Sequence, residues 1–292
     1  MRHSTKLQKT LKASWRFVAI GTSWSIETPD DLPDEVKTAV TRRINEYDKT
    51  YSRFRDDSFV SSLRTPGTYT LPTDARPLLQ IYKELYALTD GRMTPLIGAT
   101  LEAAGYDAAY SFTQSPAQVV PAFSAIGWNK GNSVTVTEPV VLDVGAAGKG
   151  YLVDIISNVL YGYGLHEHTI DASGDILVNG RQERIGLEHP DDPTKIIGVG
   201  VVSNESLCAS AVNRRTWKGL HHVFDGKSQQ PTKAVVATWV ASETALVADA
   251  LATALFFVEP EVLQQRYEFE SVIMKRNGDV GVTPGFKGEL FI

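Results

Sequence analysis

The segment Ser242–Val258, SETALVADALATALFFV, constrains this chain most: after Thr244 nearly every residue is apolar or small. Such a pattern predicts a helix over about Glu243–Val258 that is buried on most sides, not an amphipathic surface helix. Asp249 and Thr253 interrupt it, so it is too polar and too short to cross a bilayer. A carboxylate in such surroundings needs a cation or hydrogen bonds to offset its desolvation. Thr253 lies four residues on, one turn along the same face. A carboxylate and a hydroxyl stacked in that way offer two hard oxygen ligands to Mg²⁺, which favours few protein ligands plus phosphate oxygens. A hydrogen-bonded Asp packed against a helix N-terminus is the competing reading.

Around this helix the chain reads as an α/β (α+β mixed) fold. It is expected to be one compact unit with mixed sheets and flanking helices, with room for two lobes. Strand patterns occur at 15–28 (broken at Gly21), Val134–Val136, Val140–Val144, Thr169–Val178, Ile196–Val202, Ala209–Asn213, Ala234–Val240 and Ser271–Lys275. Val36, Val40, Ile44, Tyr47 and Tyr51 form one helical stripe after the start signal Pro33-Asp34. Leu78, Ile81, Tyr82, Leu85 and Leu88 form another, closed by Gly91. Further helices are expected at about Pro116–Phe123, after Gly150, and over Glu261–Tyr267. No repeat and no long linker divides the chain, so residues 1–14 read as a tail and 15–292 as one domain.

Three other segments could carry chemistry. In Leu142–Asp154 a strand ends at Asp143 and a Gly-rich turn, Gly145-Ala146-Ala147-Gly148-Lys149-Gly150, opens a helix. Exposed backbone N–H groups and Lys149 suit a phosphate, although the turn is neither a Walker A loop nor a dinucleotide fingerprint and a purely structural turn is the alternative. In His221-His222-Val223-Phe224-Asp225-Gly226, a histidine three residues before an aspartate suits a general base with its orienting carboxylate. Adjacent surface histidines or a metal pair would read the same way. Ala172-Ser173-Gly174-Asp175 has the composition of a tight turn.

Composition removes several classes. With 29 basic against 34 acidic residues, the formal charge of −5 argues against nucleic acid as a partner. The single cysteine, Cys208, excludes an internal disulfide and a multi-cysteine zinc site, and its small, partly apolar neighbours fit a buried structural thiol. The basic N-terminus lacks the apolar core of a secretory signal. The expectation is a cytoplasmic protein with no membrane partner.

Taken in order and spacing, these pieces resemble the ApbE-type flavin transferase family over about residues 15–275. Leu142–Asp154 is similar to the family's Leu-Asp-Leu-Gly-Gly-Ile-Ala-Lys-Gly-Tyr-Ala-Val-Asp motif, Ser173-Gly174-Asp175 to its Gly-Gly-Asp turn, and His221–Gly226 to its Ser-His-x-x-Asp-Pro segment. Ala248–Ala254 matches its Ala-Asp-Ala-Leu-Ala-Thr-Ala helix without a change. Ile20-Gly21-Thr22 and Ser52–Ser58 resemble two N-terminal motifs. The resemblance implies Mg²⁺-dependent transfer of FMN from FAD to a Thr or Ser hydroxyl of an acceptor flavoprotein, with release of AMP. It implies that Asp249, Thr253 and the Ala146 carbonyl hold the metal. Asp143 and Lys149 would contact the nucleotide, and Ile20, Phe54, Gly105, Tyr106, Val223 and Ala252 would belong to the FAD site. His222 would take the acceptor proton, with Asp225 as its partner. The chain departs from the family at Gly91–Leu96, Ala104–Tyr106, Ser210–Asn213 and Asp225–Gln229. An FAD pyrophosphatase giving FMN and AMP, and an FAD-binding protein without turnover, are the alternative readings.

Overall fold

The computed structural model describes residues 13–116, 118–129 and 132–291. Strands β1 (Ala13–Ala19) and β2 (Thr22–Thr28) form an antiparallel hairpin. Its turn residues Ile20 and Gly21 both have positive φ, as a tight two-residue hairpin turn requires. The expected tail of residues 1–14 lies largely outside the described residues, and Ala13 and Ser14 already belong to β1. Helix α1 (Asp34–Tyr51) begins after Pro33 with Asp34 and Glu35 in its first turn and buries the anticipated stripe. A short helix α2 (Phe59–Ser62), strand β3 (Gly67–Thr70) and helix α3 (Ala75–Leu88) follow, then helix α4 (Gly98–Ala103). Strands β4 (Ile126–Trp128) and β5 (Ser133–Val136) complete a small antiparallel sheet with β3.

Helix α5 (Gly148–Gly162) leads into the long strands of the main sheet: β6 (His168–Asp171), β7 (Asp175–His189) and β8 (Asp192–Ala211). A short ladder of β9 (Thr216–Trp217) and β10 (Leu220–His221) precedes β11 (Val235–Ser242), helix α6 (Ala245–Ala254) and helix α7 (Pro260–Leu263). Strands β12 (Glu270–Lys275), β13 (Val280–Val282) and β14 (Gly288–Leu290) end the chain. The main sheet runs β1-β2-β6-β7-β8-β11-β12-β13, with β14 added alongside β8. The class is α+β as expected, but the anticipated mixed sheets are not: every pairing among the described residues is antiparallel. Hairpins join β1–β2, β6–β7, β7–β8 and β12–β13, which imposes that direction on those pairs.

One face of this sheet carries the principal core. Helix α6 sits on β8 and β11 and is covered by α3 and α5, which explains why Ala248, Ala250, Leu251, Ala252 and Ala254 have no exposed surface. The approach of α5 is close: a Cβ on Gly150 would meet the Ala245 carbonyl oxygen at 2.1 Å. Only glycine admits that contact. The opposite face holds a second apolar cluster that includes Val178, Leu187, Trp239 and Val272.

Several boundaries differ from expectation. Helix α6 is shorter than Glu243–Val258, because Thr244 caps its start and 3₁₀-type bonds from Phe256 to Thr253 and Phe257 to Ala254 close its end. Val140–Val144 is extended but joins no ladder; Val140 donates to Leu63 and Asp143 to Pro95 instead. The described residues near Pro116–Phe123 form no helix before the 3₁₀ turn at Phe123–Ala125, since two prolines remove backbone donors. The Ile196–Val202 pattern and the first part of Ala209–Asn213 belong to one strand, β8, zipped to β7, while Val212 and Asn213 enter a 3₁₀ turn, and Thr169–Val178 is split by the Ala172–Gly174 turn.

Candidate active site: a two-part cleft

The cleft has a wide and a deep part. The wide part is a cavity of about 660 Å³ lined by the β1–β2 turn, the end of α1, the Asp143–Lys149 turn and the aromatic residues Phe54, Tyr106, Tyr110, Phe112 and Trp217. The deep part, about 260 Å³, is lined by Ala146, Asp249, Thr253, His222 and Val223 among others. Tyr106, Asp143, Lys149, Arg214 and Arg215 are among the residues that line both, so the two are continuous.

Helix α6 delivers Asp249 and Thr253 into the deep part. Its N-terminus is fixed by the Asp154 carboxylate, which accepts from the backbone N–H groups of Ala245 and Leu246 at 2.9 and 2.8 Å. Burial pushes Asp154 up to about 6. Asp249 is 4% exposed and accepts a hydrogen bond from the Gly150 N–H at 2.8 Å. The Thr253 hydroxyl lies 3.3 Å from that of Ser210. Asp175, fully buried, stands nearby at the start of β7. Burial pushes both carboxyls above their ordinary range, and the charge of Asp175 pushes Asp249 further.

The Lys149 ammonium lies 3.1 Å from Asp175 and donates to the carbonyls of Ala172 and Ser173. It is therefore engaged within the protein. Beyond that ion pair, the two Asp175 oxygens have no hydrogen-bond partner among the described residues. Lys149 pairs with Asp175, which leaves the buried Asp249 carboxyl without an ion-pair partner among the described residues, and the Thr253 hydroxyl and Ala146 carbonyl add neutral hard oxygens. This donor set fits a divalent cation of the Mg²⁺ type. It holds no cluster of three or more His, Cys, Asp or Glu among the described residues, so substrate oxygens and water would complete the shell.

Asp143 is held by Arg53 at 2.5 Å and by the Gly145 N–H at 2.7 Å. Burial opposes its ionisation, but the Arg53 charge and hydrogen bond outweigh it and hold the carboxyl below its ordinary value. Arg53 also donates to the Tyr106 carbonyl and lies 4.2 Å over the Phe54 ring. The sequence departs from its relatives' motif at Ala104-Gly105-Tyr106, yet aromatic surface is present: Tyr106 stacks on Trp217 at 5.4 Å and Phe54 on Tyr110 at 5.5 Å. Gly105 shapes this wall. Its φ is +99°, and a Cβ there would meet the backbone of Phe112 and Thr113 at 2.7 Å.

Of the histidine pair, His221 is structural: its ring bonds the Thr232 carbonyl at 2.8 Å and accepts from the Val223 N–H. His222 faces the deep part. Its Nδ1 is buried without a hydrogen-bond partner among the described residues. Burial, reinforced by the Arg215 charge, holds its pKa down to about 3. The imidazole is therefore neutral at ordinary pH.

Three anticipated residues stand elsewhere. Asp225 does not orient His222: its carboxylate accepts from Arg92 at 2.7 Å and from the N–H groups of Lys227 and Ser228, closing its own turn. Ala252 is fully buried and offers the cleft nothing; its carbonyl accepts from Thr238. Gly105 lies behind the wall rather than on it. Ile20, Phe54, Tyr106, Asp143, Lys149 and Val223 do line the cleft. Sequence reasoning missed Arg215 and Trp217, which follow Asn213 in a stretch without a recognisable motif, and it read Asp175 only as a turn residue.

A nine-stranded antiparallel sheet with a buried carboxylate-bearing helix and an aromatic cleft defines an α+β ligand-binding domain. The family model described as the ApbE family matches residues 20–273, and the chain belongs to that family. The FAD:protein FMN transferase of Rhodobacter capsulatus is 27% identical over 215 residues, covering 68% of this chain but 41% of the relative. The chain thus spans about two fifths of that relative's length. The FAD:protein FMN transferase of Buchnera aphidicola (Schizaphis graminum) is 22% identical, with 98% of this chain and 92% of the relative covered. Among solved structures, the ApbE protein of Thermotoga maritima superposes with a TM-score of 0.81 at 21% identity, covering 93% of this chain and 97% of its own. The flavin transferase ApbE from Vibrio cholerae gives 0.78 at 18%, with the same coverage. These likenesses show the fold. No helix among the described residues is long and apolar enough to cross a membrane.

Proposed function

We propose that this protein transfers FMN from FAD to a Thr or Ser hydroxyl of an acceptor protein, with Mg²⁺, releasing AMP. The observation that carries the reading is the neutral His222, with its unpartnered Nδ1, in the same cavity as Asp249 and Thr253. Its relatives, FAD:protein FMN transferases, point the same way. In this reading the aromatic part holds the planar ends of FAD, and the deep part receives its pyrophosphate.

Asp249, Thr253 and the Ala146 carbonyl would hold the cation, which supplies charge neutralisation on the phosphate oxygens. The acceptor hydroxyl oxygen bonds to the FMN-side phosphorus as the bond from that phosphorus to the bridging oxygen breaks. His222 takes the hydroxyl proton, and AMP leaves with the bridging oxygen. Asp143, fixed by Arg53, and the Gly145–Gly148 turn position the nucleotide. Lys149 acts on the site by holding Asp175 and the Ser173 turn rather than by reaching for phosphate.

The test incubates the protein with FAD, Mg²⁺ and an acceptor domain bearing a candidate Thr or Ser, and reads AMP and the acceptor's intact mass. AMP together with a mass gain of one FMN is the expected result. AMP without that gain would favour a pyrophosphatase. Bound FAD with no AMP would favour a binding protein.

A further inference from the structure

An FAD pyrophosphate needs a cation to receive it, and most cations at this cleft are already engaged. Arg53 is bound to Asp143, the Tyr106 carbonyl and Glu102. Lys149 is bound to Asp175 and two carbonyls. Arg214 pairs with Glu188 at the surface, 3.2 Å away. Arg215 differs: among the described residues its guanidinium makes no ion pair and no hydrogen bond, and its nearest recorded contact is the Tyr106 ring at 6.0 Å.

Both neighbours line the wide and the deep part, but Arg214 closes a short 3₁₀ turn and gives its guanidinium to Glu188, whereas Arg215 is extended, with φ −141° and ψ 95°, leads directly into β9 and keeps its guanidinium unpaired among the described residues. Its charge reaches Asp143, His222 and Asp249 alike. A half-buried, unmatched guanidinium at the junction of an aromatic chamber and a metal-type chamber is placed for a ligand that spans both.

We propose that Arg215 is the pyrophosphate-binding residue of this cleft, engaging the phosphate oxygens as the ligand passes from the aromatic part to the deep part. The inference rests on the flavin reading above but names a residue that reading did not use. A guanidinium offers a planar fork of donors that matches two phosphate oxygens at once, which an ammonium cannot do. It also faces the oxygens on which charge grows as AMP departs.

The test measures equilibrium binding of FAD, by flavin fluorescence, and of inorganic pyrophosphate, by calorimetry, to wild-type protein and to Arg215→Gln, Arg215→Lys and Arg214→Gln. Arg215→Gln is expected to weaken both ligands about tenfold or more, Arg215→Lys to fall between it and wild type, and Arg214→Gln to change either by less than about twofold. Unchanged thermal midpoints show that each variant is folded. Equal losses in Arg214→Gln and Arg215→Gln, or no loss in Arg215→Gln, would overturn the assignment. Arg215-dependent binding of pyrophosphate without any binding of FAD would uphold Arg215 and remove the flavin reading. Absence of both from the wild-type protein would overturn both.

Discussion

The two parts of the cleft are built from opposite materials. The wide part is walled by aromatic rings that pack on one another, with Arg53 laid over Phe54. Apart from Arg215, its principal charges, Arg53 and Asp143, are satisfied internally. The deep part holds the groups still open to a ligand: the buried Asp249 carboxyl and an imidazole whose Nδ1 has no hydrogen-bond partner among the described residues. A surface already satisfied can bind a planar group without changing it. A surface holding uncompensated charge gains most when a cation and a charged ligand arrive together. In the proposed reaction, recognition falls to one part and chemistry to the other.

The largest effect that would break this division is at Asp249. Asp249→Ala is expected to lower Mg²⁺-dependent AMP release on the order of a thousandfold or more, and Asp249→Asn, which preserves the shape and an acceptor for Gly150, should do nearly the same. FAD affinity measured without metal should be retained in both. Full turnover in either variant would remove the metal assignment.

His222→Gln comes next, with an expected loss of about 10²–10⁴-fold in kcat and little change in FAD affinity. Its pH behaviour sharpens the test. With the native imidazole held at about 3, protonation of His222 should not limit activity between pH 5 and 8. The same depression carries a stability consequence. The folded state binds its proton only far below the unfolded value of 6.5, so stability falls as pH drops through 6.5. At pH 5 wild type should have lost about 2 kcal/mol that His222→Gln keeps, readable from denaturation at pH 7.5 and pH 5.

The smallest effect belongs to the wide part. Phe54→Leu should weaken FAD binding by about tenfold or less, while kcat at saturating FAD stays within about twofold. A large fall in kcat at unchanged affinity would show that the aromatic part takes part in the chemistry.

How much of this was legible in the sequence follows the same boundary. Helix α6 was legible because its composition admits one environment, and Asp249 and Thr253 came with it at a fixed spacing. The α1 and α3 stripes were legible from their periodicity. His222 was legible as a candidate, but its partner was not: three residues of separation suggested Asp225, whereas the chain turns sharply after Phe224 and gives that carboxylate to Arg92. The long β7–β8 hairpin was read as separate strands, because Ser203–Glu205 resembles a turn locally and only cross-strand pairing overrides it. Arg215 and Trp217 could not be found from sequence, since what distinguishes them is set by distant partners: Glu188 claims Arg214 and leaves Arg215 unpaired, and Trp217 packs on Tyr106. Lys149 was read as an anion ligand from its place beside a Gly-rich turn; Asp175, distant in sequence, claims it.

The most direct test of the division is a crystal grown with FAD and Mn²⁺ in place of Mg²⁺, with the metal located by its anomalous signal. The account predicts the metal against Asp249, Thr253 and the Ala146 carbonyl, with the pyrophosphate beside it and at least one ring system of FAD among Phe54, Tyr106 and Trp217. Ordered FAD with the metal elsewhere, or with its phosphates outside the deep part, would contradict it.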